Sequence, residues 1–345
     1  MSSTSNQAPK RQSWSARFLV AGGVLGAVAT TGLATSVAPV PAHASCIATG
    51  LGTLGTGCSS GGPLQWAIAI GDGATAIASG GLFNLALAGG TNSTATAANG
   101  SFNIARALGT DAEATAGGSA DVAGDPTGNL NIARAFGPGA WAIAANGNLN
   151  WARAIGDRSR AFSYEGSLQS ARAFGYETGA NASGGSAQSA RSFGYKSQAE
   201  SANGTLNVAR ASTYPYLLGG VAGASATAGQ GNVNFARAVG DGTGAVAGFG
   251  NVNLAWTGFF TTANAANSAR AQYGNGNLAA VWGNGNTALA GVSGSGNNRN
   301  LAIVAGQLST ATAGPGSDNR VVVVGFDKDQ SKPAGAAAAR ASRQR

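Results

Sequence analysis

Along most of the chain, alanine alternates with larger side chains in short stretches separated by glycine-rich turns. One stretch of each pair resembles Asn131-Ile-Ala-Arg-Ala-Phe-Gly137, and the other resembles Ala140-Trp-Ala-Ile-Ala144. Alternation with a period of two, bounded by Gly, Asn and Asp, is typical of β-strands. The pattern therefore predicts pairs of short strands along the chain.

The arginine-bearing stretch recurs at a fixed interval. Five consecutive copies place their arginines 19 residues apart, at positions 134, 153, 172, 191 and 210. Two longer steps, before Arg134 and before Arg237, contain insertions. Similar strands at a fixed period stack coil on coil in parallel, about 4.8 Å apart. We therefore predict an all-β fold, a parallel β-solenoid (β-roll) of roughly 19-residue coils with two short strands per coil.

The two faces of the second strand differ in composition. One face is Ala or Ser in nearly every coil, whereas the other varies freely and includes Thr75, Glu113 and Trp141. Freely varying polar side chains belong in water, so the alanine face is predicted to line a narrow core. This agrees with a chain that is 43% hydrophobic but only 7% aromatic.

An Asn or Gln precedes the first strand in most coils, at the edge of its alanine face. We expect these amides to stack and satisfy one another between coils; contact with a ligand is the alternative. The residues are Asn84, Asn103, Asn131, Asn150, Gln169, Gln188, Asn207 and Asn234.

The outer face of the first strand carries large apolar residues in coil after coil, such as Ile132, Phe136 and Trp151. A contiguous patch of this kind exceeds the few hundred Å² typical of a monomer surface. Self-association, as a dimer or trimer, is the first candidate to cover it, and a packed tail or another partner is the second.

A row of arginines accompanies this patch and is predicted to line one edge at coil spacing. Like charges ~5 Å apart repel by roughly 0.8 kcal/mol in water. The arginine stems could cover apolar surface while their heads reach water or turn carbonyls. The row could instead bind a linear polyanion, or meet the carbonyls of a second chain. The candidates are Arg106, Arg134, Arg153, Arg172, Arg191, Arg210, Arg237 and Arg270.

The N-terminal segment has the features of a secretory signal over residues 1–44. Lys10, Arg11 and Arg17 supply its charge, an apolar stretch follows, and Ala42-His43-Ala44 offers a cleavage pattern. An uncleaved membrane anchor is the alternative. We therefore expect a protein that is secreted or held in the cell envelope.

Cys46 and Cys58 are the only cysteines, and both follow the predicted cleavage site. Export and an even count favour a disulfide. We predict a disulfide-stapled N-terminal cap over residues 45–63, a repeat domain over 64–325 and a flexible basic tail over 326–345.

Catalytic chemistry has little support in the sequence. The only histidine is His43, so no histidine-based catalysis or zinc site is expected after the signal segment. Paired carboxylates could serve a glycosidase without histidine. However, the pairs present, Asp111/Glu113, Asp121/Asp125 and Asp327/Asp329, lie in an insertion or the tail. We expect no enzyme, cofactor, bound metal or small-molecule substrate.

The coil Ile68-Ala-Ile-Gly-Asp-Gly-Ala-Thr-Ala-Ile-Ala-Ser-Gly80 resembles the YadA-like head repeats of trimeric autotransporter adhesins. The resemblance covers roughly residues 64–325. It implies a parallel β-roll with small residues inside and an apolar outer face buried in a trimer. The repeats here are nearer 19 than 14 residues, and no segment resembles that family's coiled-coil stalk or membrane barrel. The stretches Gly274–Asn277 and Gly283–Asn286 also resemble the asparagine-glycine repeats of mycobacterial surface proteins, which implies an exported actinobacterial envelope protein.

These features together predict an exported cell-envelope protein of structural or adhesive function. It would self-associate through the Leu/Ile/Arg/Phe face of the first strand. The alternative is a polyanion-binding module that uses the arginines on an acidic glycan, a lipid headgroup or a nucleic acid. The two differ in their response to salt, because binding to a polyanion weakens steeply as salt rises.

Overall fold

The structure is a computed structural model, which describes residues 45–118, 128–213, 223–258, 266–292 and 296–332. The described residues form strands and no helix, and successive coils stack as a parallel β-solenoid of about 13 turns. The predicted fold class is therefore confirmed. The predicted signal segment and residues 333–345 lie outside the described residues.

The chain alternates between two sheets. The even-numbered strands from β4 to β28, with β1 and β2, form a first sheet of fifteen strands, and the odd-numbered strands from β3 to β29 form a second sheet of fourteen. The strands are β1 Ser45–Thr49, β2 Gly52–Leu54, β3 Cys58–Ser60, β4 Trp66–Ile70, β5 Thr75–Ala78, β6 Leu85–Gly89, β7 Thr94–Ala97, β8 Ile104–Leu108, β9 Glu113–Gly117, β10 Ile132–Phe136, β11 Trp141–Ala145, β12 Trp151–Ile155, β13 Arg160–Ser167, β14 Ser170–Phe174, β15 Gly179–Ser186, β16 Ser189–Phe193, β17 Gln198–Thr205, β18 Val208–Ser212, β19 Ser225–Gly229, β20 Phe235–Val239, β21 Gly244–Gly248, β22 Leu254–Thr257, β23 Ser268–Ala271, β24 Leu278–Asn284, β25 Thr287–Ala290, β26 Leu301–Gln307, β27 Thr310–Ala313, β28 Arg320–Phe326 and β29 Asp329–Lys332.

Each solenoid strand pairs in parallel with the equivalent strand of the next coil, at the same register. The two predicted insertions do not interrupt this stacking, because β8 pairs directly with β10 and β18 with β20. Extra residues are therefore accommodated between strands, and each strand position continues as a straight column along the solenoid.

Alanine side chains fill the interior, as the alternation predicts. Ala133 and Ala135 of the first sheet and Ala142 and Ala144 of the second are all 0% exposed. Their small size lets the two sheets approach closely, which explains why a chain with few large apolar residues has a continuous core. Larger buried residues, such as Val281 and Val304, occur in the last coils.

The buried amides before the first sheet form a continuous ladder, but they bond mainly to the backbone and not to one another. The Oδ1 atom of Asn131 accepts the N–H of Asn150 at 2.9 Å, and Asn150 Nδ2 donates to the carbonyl of Gly166 at 2.9 Å. The expectation of mutual amide bonding is corrected: each side chain connects coils by satisfying main-chain groups that the corner leaves unpaired.

The two ends of the solenoid differ. At the N-terminal end β1 and β2 form an antiparallel hairpin on β4, and Cys46 and Cys58 form the predicted disulfide, with Cα atoms 5.7 Å apart. At the other end β28 reaches Phe326 and β29 pairs with β27. The solenoid therefore extends to Lys332, past the boundary at residue 325 expected from the sequence.

Candidate functional site

The outer face of the first sheet is the most distinctive surface of the molecule. Its five-residue strands project the first, third and fifth side chains outward, which makes three columns along the solenoid. In β10 these are Ile132, Arg134 and Phe136, and in β12 they are Trp151, Arg153 and Ile155. We call them the first, central and third columns.

Seven of the eight candidate arginines occupy consecutive places in the central column, and we call this set the arginine ladder. At ~4.8 Å per coil the six steps span about 29 Å. The ladder lies in the middle of the face and not along an edge, as the sequence had suggested. Its members are Arg106, Arg134, Arg153, Arg172, Arg191, Arg210 and Arg237.

Arg270 does not belong to the ladder, which corrects the prediction. It lies on β23 of the second sheet, beside Val246 and Leu289. The neighbour of Arg237 in the central column is instead Trp256, on β22.

Aromatic rings from both flanking columns hold the arginine side chains in place. The guanidinium carbon of Arg172 lies 4.5 Å from the ring centre of Trp151, and that of Arg153 lies 5.5 Å from the ring of Phe174. Arg106 and Arg210 contact phenylalanine rings in the same way at 5.5 Å. Such contacts are favourable and leave the charge itself available.

The ladder carries no compensating negative charge. None of the first-sheet strands from β4 to β28 contains an acidic residue, and no described carboxylate forms an ion pair with a ladder arginine. Ion pairs occur instead at the corners, for example between Arg158 and Glu177 at 3.0 Å. The positive charge along the central column is therefore unbalanced within the described structure.

Burial and mutual repulsion both act on the ladder. Desolvation, followed by the neighbouring charges of Arg191 and Arg153, lowers the pKa of Arg172. The pKa of Arg210 is lowered by desolvation and by Arg191 and Arg237. The Nε atoms of Arg153 and Arg172 are buried without a hydrogen-bond partner among the described residues. An opposite charge along the ladder would offset the mutual repulsion of the arginines.

A second feature lies at the turn directly before each first-sheet strand, where the chain enters that sheet. Eight large apolar residues there have φ between 57° and 61° and are 47% to 60% exposed. We call this set the corner ridge: Phe83, Phe102, Leu130, Leu149, Leu168, Leu206, Val233 and Val252. Positive φ is a rare conformation for a bulky residue.

The other corners of the coil show what positive φ ordinarily selects. The corner that leaves the first sheet uses polar residues such as Asn92, Asp111 and Lys196 at the same backbone conformation, with Leu308 as an exception. The corner that leaves the second sheet uses Asn99, Asn146 and others, with Phe249 and Tyr273 as exceptions. The corner ridge is therefore a property of one line of the surface and not of the turns in general.

An exposed asparagine ladder accompanies the corner ridge and was missed in the sequence. The Oδ1 atom of Asn148 accepts the N–H of Asn129 at 2.9 Å, and that of Asn275 accepts the N–H of Asn251 at 2.8 Å. The signal was present as Asn-x-Asn: the second asparagine is the buried amide, and the first lies two residues earlier on the surface.

The outer face of the second sheet mixes polar and apolar side chains without a regular column. A shallow depression of about 270 Å³ lies where Gly179 separates the larger side chains of Arg160 and Gln198. Its only carboxylate is Glu200, so it lacks the carboxylate pair of a glycosidase. Elsewhere on this sheet, burial raises the pKa of the Glu113 carboxyl.

Two further observations concern sites and membranes. Within the described ranges no group of three His, Cys, Asp or Glu side chains is placed to hold a metal ion. The same part of the chain contains no helix with the length and apolar character needed to cross a membrane.

Comparison with known proteins finds no matching family model, no matching curated protein and no matching solved structure. The molecule is thus defined by its own fold, as a parallel β-solenoid of two sheets with an arginine-bearing outer face. The resemblance to adhesin head repeats stays an expectation drawn from the sequence.

Proposed function

We propose that this protein is an exported structural or adhesive component of the cell envelope, and that it self-associates as a dimer or trimer. The corner ridge is the observation that carries the proposal. Together with the first column it forms an apolar strip along one side of the arginine ladder.

Each ridge residue adds two costs to an isolated chain. A left-handed backbone conformation costs a residue other than glycine roughly 1–2 kcal/mol, and an exposed Leu, Phe or Val loses the benefit of burial. Asn or Gly would fit the same corner without these costs, as the polar corners show. Contact with a second copy would recover the apolar burial and accounts for the choice of residues.

The strip has suitable dimensions for such contact. At ~4.8 Å per coil the first column runs about 53 Å from Trp66 to Leu301, with Ser170 and Ser189 at its middle, and the ridge runs about 38 Å from Phe83 to Val252. A standard interface buries about 800 Å² from each partner, and the strip would supply the apolar part of such an interface. The arginine ladder then lies at the rim of the interface, where arginine is commonly found.

The disulfide supports the exported location, because such bonds persist in oxidising compartments. The signal segment predicted over residues 1–44 would direct the export. N-terminal sequencing of the protein recovered from the envelope or the medium tests this part. A mature chain that begins near Ser45 supports it, and a reduced protein with an intact N-terminus found inside the cell contradicts it.

The association is tested by light scattering after size exclusion at two salt concentrations. The purified protein should have the mass of a dimer or trimer, and the mass should not fall as salt rises. The variant Leu130→Asn/Leu149→Asn/Leu168→Asn should be a monomer. It should remain folded, because Asn suits positive φ better than Leu does.

The matched control changes three apolar residues on the opposite outer face, as Ile77→Thr/Ile143→Thr/Val246→Thr. These residues lie outward on the second sheet, where Thr suits a strand. This control should keep the oligomeric mass. A wild-type monomer at micromolar concentration, or equal dissociation of both variants, would refute the proposed association.

A further inference from the structure

We propose that the arginine ladder binds a linear acidic glycan, which lies along the solenoid axis in the first-sheet face. This binding does not require self-association, because the ladder lies at the rim of the proposed interface and not within it. The carboxylates of the glycan would pair with guanidinium groups of successive coils.

The first argument is the unbalanced charge. Seven guanidinium groups in one column have no described carboxylate partner, although charged residues at the corners form pairs at 2.8 Å and 3.0 Å. Four of the seven, Arg106, Arg191, Arg210 and Arg237, are exposed. The ladder can therefore accept anionic groups from outside the chain through charge-assisted hydrogen bonds.

The second argument is the shape of the site. The guanidinium groups form a single row, one per coil, over about 29 Å. The aromatic contacts of Arg106, Arg153, Arg172 and Arg210 restrain their side chains and so reduce the entropy lost on binding. A fixed one-dimensional row of cations fits a polymer with evenly spaced anions better than it fits a compact anion.

The third argument separates a glycan from other polyanions. Single-stranded nucleic acid binds largely by stacking its bases on aromatic rings, but four of the rings beside the ladder are already contacted by guanidinium groups: Phe136, Trp151, Phe174 and Phe235. A membrane would need apolar side chains to insert beside the cations. Next to the middle of the ladder, however, the first column holds Ser170 and Ser189. A hydroxyl-rich acidic polymer is compatible with both observations.

The experiment measures binding of fluorescently labelled oligogalacturonates, which carry one carboxylate per sugar residue, by anisotropy. Affinity should rise with oligomer length until the chain spans about 29 Å and then level off. It should fall steeply with salt. In Arg172→Gln/Arg191→Gln the affinity should fall about tenfold, and the salt slope by about one unit per arginine removed.

The matched control is Arg160→Gln/Arg270→Gln, which removes the same charge from the outer face of the second sheet. It should bind as the wild type does. A charge-preserving variant, Arg172→Lys/Arg191→Lys, should keep the salt slope while weakening the affinity, since Lys does not provide the planar fork of Arg. This Lys variant also tests the site if the Gln variant fails to fold.

Three results would overturn the inference. Equal losses in the ladder variant and the control would indicate attraction to net charge alone. Affinity that keeps rising well beyond about 29 Å would indicate no defined track. Ladder-dependent binding to phosphatidylglycerol vesicles or to single-stranded DNA, with no binding to oligogalacturonate, would assign the face to another polyanion. The molecular mass of each variant is measured in parallel, so that a loss of glycan binding can be distinguished from a loss of self-association.

Discussion

Removal of one buried amide should destabilise the solenoid far more than removal of an exposed one two residues away. Asn150 is 1% exposed and makes three side-chain hydrogen bonds. Its Nδ2 donates to the carbonyls of Ala145 at 3.0 Å and Gly166 at 2.9 Å, and its Oδ1 accepts the N–H of Gln169 at 3.2 Å. Asn150→Ala leaves all three backbone groups without these partners.

The magnitude follows from the burial of those groups. Each buried polar group left unsatisfied costs about 1–3 kcal/mol, so three predict a loss of about 3–5 kcal/mol if water relieves part of the cost. Asn148 accepts from the N–H of Asn129, but it is exposed, so water can replace it. Asn148→Ala should therefore cost below about 1 kcal/mol.

Urea denaturation followed by circular dichroism compares the free energies of unfolding. Because repeat proteins can unfold coil by coil, hydrogen exchange of the segment around Gln169 provides a local measure. Its amide should exchange much faster in Asn150→Ala and almost normally in Asn148→Ala. Equal effects of the two substitutions would refute the conclusion that backbone satisfaction by buried amides holds the coils together.

Three further outcomes are expected. Gly156→Ala should lower the free energy of unfolding, measured with urea, by more than about 2 kcal/mol, because φ is +117° and a Cβ would overlap the backbone of the next coil. Gly244→Ala, in open space, should be neutral or slightly stabilising. Similar losses in the two variants would contradict this. Cys46→Ala/Cys58→Ala should lower the free energy of unfolding by about 3 kcal/mol, with faster hydrogen exchange confined to the N-terminal hairpin. Faster exchange spread over all coils would argue against a local effect of the disulfide. Glu113→Gln should stabilise the fold at neutral pH. Burial raises the pKa of Glu113 in the folded state above its unfolded value, so the stability contributed by the protonated carboxyl is lost as pH rises through the folded pKa. If the pH dependence of unfolding is the same in the variant and the wild type, this reasoning is refuted.

The arginine ladder and the corner ridge divide one surface between two kinds of interaction. The ridge and first column offer apolar area, and the central column offers charge that no described residue neutralises. The strands supply the first and central columns, because alternate residues of one strand point outward, and the ridge lies at the corner two residues before each strand. Variants of the two surfaces can therefore be made separately without changing the alanine core.

The insertions show why repeat length is a weak constraint in this fold. The steps from Arg106 to Arg134 and from Arg210 to Arg237 are longer than 19 residues, yet each pair is adjacent in the sheet. Stacking depends on the alignment of the short strands and not on the number of residues between them.

The local sequence alone determined the strands, the narrow core and the inward amides. Alternation of Ala with larger residues identifies Ala133 and Ala135 as interior, because a period of two puts them on one face. The disulfide between Cys46 and Cys58 followed from the count of cysteines and the expected export.

Only the tertiary structure decided which sheet a given strand joins. Asn267-Ser-Ala-Arg270-Ala has the same local pattern as the first-sheet strands, but it lies in the second sheet because it stacks on β21. A strand's place depends on the coil beneath it, and the two sheets accept similar five-residue patterns. The positive φ of Leu149 likewise could not be inferred, since a bulky residue is a poor candidate for that conformation. Local preference determined each strand, and the stacking of whole coils determined the surface that the strands create.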